Sequence, residues 1–99
     1  MISRQRTVDA ARDEILAAID ELRTVSMADR DEQRRHVAER LHARFVGITE
    51  KRALREAATG ALGLYRGGMG SFQDVGYPDM IHAVDRLRLA LRRGRSRFL

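Results

Sequence analysis

The chain has 99 residues, which is enough for one domain with a modest core and too few for two. Hydrophobic residues make up 43% and charged residues 33%, a composition that excludes an intrinsically disordered chain. There is no cysteine, which excludes disulfides, thiolate zinc sites and cysteine nucleophiles. The net charge is +5, and every basic residue except Lys51 is an arginine. The first third of the chain is acidic and the remainder is basic.

Targeting segments are not evident. The beginning, residues 1–6, is charged but lacks an apolar stretch after it, so we expect no signal peptide. No apolar run approaches the roughly 20 residues of a membrane-spanning helix. We therefore expect a cytoplasmic protein that makes no membrane contact.

The first two helices are predicted from apolar spacing and capping residues. A helix from Thr7, as its cap, to about Thr24 has apolar residues three and four apart, which make a heptad seam: Val8, Ala11, Ile15, Ala18, Leu22 and Val25. This seam leaves open a self-association role. The capping-box pattern Ser26-Met27-Ala28-Asp29 predicts a second helix from about Met27 to Val46, stopped by Gly47. Its apolar stripe is thin.

A third helix is predicted after Thr49, its expected cap, with a narrow face of small residues. Four small residues in this helix, Ala57, Gly60, Ala61 and Gly63, are expected to let another helix approach closely. The fourth helix begins with either Pro78 at the first helical position or Asp79 as the cap, and Gly94 is expected to end it.

These elements predict an all-α fold, a compact bundle of about four helices in a single domain spanning residues 1–99. The termini, 1–6 and 95–99, are expected to fray. Strands are not expected, because no stretch alternates apolar and polar residues with β-branched enrichment. A long glycine-rich loop, 67–79, precedes the last helix and holds four of the eight glycines and the only proline.

The loop does not have the pattern of a nucleotide site. A Walker loop needs Gly-Lys-Ser/Thr, and the dinucleotide pattern needs a preceding strand. Instead, Gly-Gly-Met-Gly-Ser-Phe-Gln-Asp, residues 67–74, resembles the signature of a family of small uncharacterised bacterial proteins, with Gln73 in place of the usual Asn. The resemblance covers about residues 62–84. It implies a bacterial protein from gene neighbourhoods that encode toxins and their neutralising partners, and it supplies no chemistry.

Nothing in the sequence nominates a catalytic or metal site, and no cofactor is expected. His36 and His42 are six residues apart and point to different sides of one helix, and His82 with Asp85 fits an ordinary surface pair. Ser71 has no histidine at a motif spacing, so no nucleophile–base pair can be argued. We therefore expect a protein that is not an enzyme.

Two function hypotheses remain. The first is a small protein-binding module of the immunity or adaptor type, in which the loop and adjacent arginines bind a protein partner. Its candidate binding residues are Arg66, Gly67, Gly68, Met69, Gly70, Ser71, Phe72, Gln73 and Asp74. The structural alternative is that Phe72 belongs to the core and Asp74 caps a turn.

The second hypothesis is a nucleic-acid-binding regulator that uses an arginine-rich last helix, as a monomer or as a dimer. Its candidate residues are Arg86, Arg88, Arg92, Arg93, Arg95 and Arg97. A second arginine cluster occupies the middle of the chain: Arg34, Arg35, Arg40, Arg44, Lys51, Arg52 and Arg55. A solvated face and a G+C-rich genome are the alternatives that need no partner.

Overall fold

The computed structural model describes residues 4–65 and 77–96, with side chains from residue 8 onward. In these ranges the chain forms four α-helices: α1 (Arg4–Ala28), α2 (Glu32–Phe45), α3 (Lys51–Leu62) and α4 (Pro78–Arg95). A short 3₁₀ turn, Gly63–Tyr65, extends α3. The described residues contain no strand. The predicted all-α four-helix bundle is confirmed.

The helices form a ring of four sides that are packed unequally. Helix α1 packs extensively against both α4 and α2, and α3 packs against α4. The fourth side, between α2 and α3, is much less closely packed. The thin apolar stripe of α2 is the cause, because only Ala38, Leu41 and Phe45 are buried along it. The bundle therefore has one open seam.

The predicted seam of α1 forms the centre of the core. Ile15, Ala18 and Leu22 are fully buried, and Val8 and Ala11 nearly so, while Val25 is half-buried. The chain itself covers this apolar face, chiefly with α4 and α2. The hypothesis that the seam drives self-association therefore loses its basis.

The boundary between α1 and α2 differs from the prediction. Helix α1 begins before Thr7 and continues through Ser26, which is buried inside it. The helix ends in a Schellman motif: the Asp31 amide donates to the Ser26 carbonyl at 2.8 Å and the Arg30 amide to the Met27 carbonyl at 3.2 Å. Arg30 has φ 57°, the left-handed conformation this motif requires. The capping box predicted at Ser26 was wrong.

Asp31 begins the second helix instead. Its carboxylate accepts a hydrogen bond from the Arg34 amide at 3.0 Å and from Arg34 Nη1 at 2.7 Å. Burial alone would raise the pKa of Asp31, but these hydrogen bonds and the Arg34 charge lower it below its ordinary value. Asp31 therefore caps α2, and the helix begins more than one turn later than the pattern at Ser26 indicated.

Two other predicted helix boundaries change, and one that the sequence left open is decided. Glu50, not Thr49, occupies the N-cap of α3 and makes no side-chain cap bond. Pro78 occupies the first turn of α4, after Tyr77 as N-cap, which decides between the two alternatives. Gly94 does not end α4: it lies buried within the helix, which continues to Arg95.

Glycines Gly60 and Gly63 are exposed and do not mediate close helix packing. A Cβ at Gly63 would have no neighbour within 4 Å, and at Gly60 it would meet only Arg44 Nη2 at 3.8 Å. The close approach occurs at Gly94, where a Cβ would lie 2.8 Å from Ile15 Cδ1. The prediction for Gly60 and Gly63 was therefore wrong.

Two hydrogen bonds tie chain connections to the bundle. Arg12 Nη1 donates to the Ile48 carbonyl at 2.9 Å, which fixes the connection between α2 and α3 to α1. The Tyr65 hydroxyl donates to the Val84 carbonyl at 2.8 Å, which fixes the end of α3 to α4. Tyr65 is the last described residue before segment 66–76, so the chain leaves the described structure from a fixed point.

Candidate anion-binding face

Eight of the described arginines are ion-paired with carboxylates, and four of these pair with carboxylates of α1. Arg86 and Arg93 of α4 pair with Glu21 and Glu14 of α1, and Arg12 pairs with Asp9 and Asp13. Local pairs along the helices hold further arginines: Arg23 with Asp20, Arg34 with Asp31, Arg35 with Glu32 and Glu39, Arg52 with Glu56, and Arg88 with Asp85. Exposed pairs of this kind contribute little to stability. Their effect is to cancel the positive charge of these arginines.

A second group of cations has no carboxylate partner among the described residues. It comprises Arg30, Arg40, Arg44, Lys51, Arg55, Arg92 and Arg95. All of these except Arg30 line concave sites on α2, α3 and α4. The uncompensated positive charge is therefore concentrated on one side of the bundle.

One concave site, the basic cleft, lies between α3 and the end of α4. It has a volume of about 820 Å³ and is lined by Lys51, Arg52, Arg55, Glu56, Thr59, Gly60 and Arg95. Its one lining carboxylate, Glu56, is 3.4 Å from Arg52 Nε. The cleft thus keeps an excess of positive charge and is open to solvent.

A smaller site, the arginine site, adjoins the cleft and shares Arg95 with it. It has a volume of about 190 Å³ and is lined by Leu62, Tyr65, Arg88, Arg92 and Arg95. The Arg88 guanidinium lies 5.9 Å from the centroid of the Tyr65 ring, within cation–π range. Burial raises the pKa of the Tyr65 phenol, so it remains a neutral hydrogen-bond donor to Val84.

A third site, the seam groove, follows the open side of the bundle between α2 and α3. It has a volume of about 250 Å³ and shares Gly60 with the basic cleft. Its lining is apolar apart from two arginines: Val37, Arg40, Leu41, Arg44, Gly60, Ala61 and Leu64. The three sites share lining residues and together form what we call the basic face.

The structure divides the predicted nucleic-acid residues into two sets. Arg86 and Arg93 point to α1 and are ion-paired there, so they do not belong to the basic face. Arg88, Arg92 and Arg95 line the arginine site together. Arg97 lies outside the described residues. Arg88, Arg92 and Arg95 therefore lie on one stripe of α4 and Arg86 with Arg93 on another, as their helical spacing indicates.

The predicted partner-binding residues cannot be placed. Arg66, Gly67, Gly68, Met69, Gly70, Ser71, Phe72, Gln73 and Asp74 all lie outside the described residues. Their position along the chain is nevertheless informative, because Leu64 lines the seam groove and Tyr65 the arginine site. Segment 66–76 follows directly from the basic face.

The arginine cluster in the middle of the chain, residues 34–55, is evident in the sequence, but no site was predicted there. Arg34 and Arg35 of that cluster are neutralised by Asp31, Glu32 and Glu39. Lys51, Arg52 and Arg55 share the basic cleft with Arg95 of α4, whereas Arg40 and Arg44 line the seam groove opposite α3. These juxtapositions have no local signal in the sequence. The four-residue spacing of Arg40 with Arg44, and of Lys51 with Arg55 and Thr59, was the signal available.

The histidines and carboxylates do not assemble a metal site within the described parts of the chain. No group of three or more potential ligands lies together there. His82 does not pair with Asp85 as predicted: its Nε2 lies 3.7 Å from Glu21, while Asp85 pairs with Arg88. The prediction that His82 pairs with Asp85 was therefore wrong: among the described residues, the carboxylate nearest to His82 is Glu21 of α1.

The fold and face define a class: an all-α four-helix protein with a basic concave surface. Comparison of the chain with protein-family models, with curated proteins and with solved structures finds no match. The resemblance of residues 62–84 to a bacterial family therefore stays a prediction. No helix in the described ranges is long and apolar enough to cross a membrane.

Proposed function

We propose that this protein is a small cytoplasmic binding module without catalysis, of the immunity or adaptor type, whose partner is a protein with an acidic surface. The observation that supports the proposal most strongly is the segregation of charge. Arginines that reach the carboxylates of α1 are neutralised, whereas Arg44, Arg55 and Arg95 line the basic face and have no carboxylate partner among the described residues.

The chemistry of the basic face suits carboxylates. Arginine presents a planar fork of N–H donors that can hold a carboxylate in two parallel hydrogen bonds. Cations on three helices that have no carboxylate partner among the described residues also produce a field that accelerates the approach of an acidic partner. The apolar floor of the seam groove adds a hydrophobic contact, which protein partners can use and a phosphate backbone cannot.

The glycine-rich segment extends this proposal. Residues 67–74 follow the basic face in sequence, and we propose that Met69 and Phe72 add apolar contacts while Arg66, Gln73 and Asp74 add polar ones. The test is capture of the same host partner by a Met69→Asp, Gly70→Val double variant. Full recovery of the partner by this folded variant would remove the segment from the proposal.

A second candidate function, nucleic-acid binding, is favoured by one observation. Arg92 and Arg95 face the same side as Lys51 and Arg55, an arrangement that could contact phosphates. Tyr65 is the aromatic residue among the described residues that line this face, and the Arg88 guanidinium already lies over its ring, 5.9 Å from the centroid. This candidate therefore rests on charge alone.

A titration with two probes of similar charge distinguishes the candidates. The probes are a fluorescent 20-residue polyglutamate and a 10-base-pair duplex, each measured by anisotropy at 50 and 200 mM salt. The proposal predicts that polyglutamate binds at 50 mM salt at least as tightly as the duplex. Absence of polyglutamate binding at low salt contradicts it, and a duplex bound more than about tenfold tighter supports the second candidate.

A further inference from the structure

The seam groove differs from the rest of the basic face because its floor is apolar. Val37 and Leu64 are half-buried beside it, and Leu41 and Ala61 are buried beneath it. Arg40 and Arg44, one helical turn apart on α2, are exposed and have no carboxylate partner among the described residues. The groove thus combines an apolar floor with two cations at its edge.

The groove exists because the bundle is incompletely closed. Helices α2 and α3 pack far less closely than the other neighbouring pairs, and Gly60 adds no side chain to fill the space between them. An apolar surface left between two helices is a common docking position for an amphipathic segment. The arginines at its edge indicate the sign of charge that such a segment carries.

Building on the function proposed above, we propose that the seam groove binds an acidic amphipathic segment of the partner protein. One or two apolar side chains of that segment occupy the floor formed by Leu41, Ala61 and Leu64. Its Asp or Glu carboxylates pair with Arg40 and Arg44. Charge complementarity selects this occupant, because a basic or neutral segment would leave both guanidinium groups without a counter-charge.

The size of the groove supports an anchoring side chain over a complete small ligand. Its volume of about 250 Å³ is below the range of roughly 300–1,000 Å³ typical of pockets for drug-sized molecules. A pocket of this size fits the anchor residues that dominate many protein interfaces. The remaining affinity then comes from the charged residues around it.

Two labelled peptides of equal charge test the proposal. One is a 16-residue amphipathic peptide of Glu and Leu, and the other has every Leu replaced by Ser. We expect the Leu peptide to bind at least about tenfold more tightly, because only it can fill the groove. In a titration followed by amide NMR, the Leu peptide should shift the signals of Val37, Ala61 and Leu64.

Blocking the groove provides the matched variants. Gly60→Leu places a side chain over the groove at an exposed position, while Thr59→Leu adds the same side chain one residue away, in the basic cleft only. The Gly60→Leu variant should reduce the preference for the Leu peptide to less than about twofold, and Thr59→Leu should retain it. Thermal unfolding of both variants establishes that the fold is intact.

The outcomes separate this inference from the proposed function. Equal binding of both peptides overturns the groove proposal and leaves the basic face intact. No binding of either peptide at 50 mM salt overturns the proposed function itself. A dimer of the wild-type chain by light scattering that Gly60→Leu dissociates would show the groove to be an interface between two copies, which also overturns the proposal.

Discussion

Gly94 of α4 lies directly against Ile15 of α1, so closely that a Cβ at position 94 would be 2.8 Å from Ile15 Cδ1. The Cβ of Ala58 and the Cγ of Leu54 lie within 3.8 Å of the same point, which places three helices in contact around one glycine. Real Cβ atoms do not come within 2.8 Å of another non-bonded carbon, so a side chain at position 94 would force the Ile15 Cδ1 methyl to shift inside the close-packed core. The glycine therefore serves helix packing and does not end the helix.

Gly94→Ala is expected to destabilise the protein by about 1 kcal/mol. Overpacking of this kind costs about 1–3 kcal/mol, and the gain in helix propensity offsets about 1 kcal/mol. Gly60→Ala is the matched control, because it adds a Cβ at an exposed helical position and should stabilise the protein by up to about 1 kcal/mol. Urea unfolding measures both.

A second substitution identifies the cause of the Gly94→Ala effect. Ile15→Val removes the Cδ1 atom that the new Cβ would meet. The double variant should be more stable than the sum of the two single effects predicts, by about 1 kcal/mol. Strict additivity of the two free energies would contradict the proposed contact.

Ser26→Ala and Asp31→Ala decide where α2 is capped. The Ser26 hydroxyl is fully buried and has no hydrogen-bond partner among the described residues. Its removal should therefore leave stability unchanged or raise it by up to about 1 kcal/mol. Asp31→Ala should cost about 1 kcal/mol, because it removes the cap on the Arg34 amide. The opposite ranking in chemical denaturation would place the cap at Ser26 after all.

The depressed pKa of Asp31 adds a pH dependence to its contribution. The ionised form is favoured in the folded state, so this stabilisation is fully present above the unfolded pKa of about 3.9 and is lost as pH falls through the lower folded value. The stability difference between wild type and Asp31→Asn should therefore shrink below about pH 4. A difference that stays constant down to pH 2 would contradict the hydrogen-bonded carboxylate.

Arg30→Gly is expected to stabilise the protein by about 0.5–1 kcal/mol. Arg30 occupies the left-handed position of the Schellman motif, with φ 57°, at a cost that glycine avoids. The greater flexibility of glycine in the unfolded chain offsets part of the gain. Arg30→Ala keeps the strain and serves as the control that removes the guanidinium alone. Equal melting temperatures of the two variants would contradict this account.

Tyr65→Phe is expected to cost about 1 kcal/mol at neutral pH, because it removes the hydrogen bond to the Val84 carbonyl. Burial raises the pKa of this phenol in the folded protein. The neutral phenol therefore stabilises the fold fully below the unfolded pKa of about 10, and this stabilisation is lost as the pH rises from there towards the higher folded pKa. The loss is at most about 1.4 kcal/mol per pH unit. Guanidinium unfolding at pH 9 and pH 11.5 measures the effect.

The Tyr65→Phe variant should lack this alkaline decline in stability. Tyr77→Phe serves as the control at neutral pH, because Tyr77 is exposed and should change the free energy of unfolding by less than about 0.5 kcal/mol. Equal neutral-pH effects of the two substitutions would show that the Tyr65 hydroxyl is not bonded to α4.

Periodic apolar patterns predicted the core well, because burial on one helix face is a local property of the sequence. Val8, Ile15 and Leu22 were identified from spacing alone, and they are buried. The end of α1 was missed because Arg30 occupies a position usually held by glycine, so the Schellman motif had no sequence signal. The Ser-x-x-Asp pattern at residue 26 was then mistaken for a cap.

The candidate site was only partly visible in the sequence. Arg35 and Arg44 belong to the same arginine cluster in the sequence. Arg35 is neutralised by Glu32 and Glu39, whereas Arg44 has no carboxylate partner among the described residues. The association of Lys51 with Arg95, at opposite ends of the second half of the chain, depends on α3 packing against α4. Such long-range placement is a property of the fold and has no local pattern to indicate it.

The most direct test of the central claim compares two triple variants with the same change in charge. The variant Arg44→Gln, Arg55→Gln, Arg95→Gln removes from the basic face three cations that have no carboxylate partner among the described residues, whereas Arg23→Gln, Arg86→Gln, Arg93→Gln removes three ion-paired arginines. Binding of fluorescent polyglutamate at 50 mM salt should weaken at least about tenfold in the first variant and less than about threefold in the second. Equal weakening in both variants would show that net charge alone, and not the basic face, governs binding.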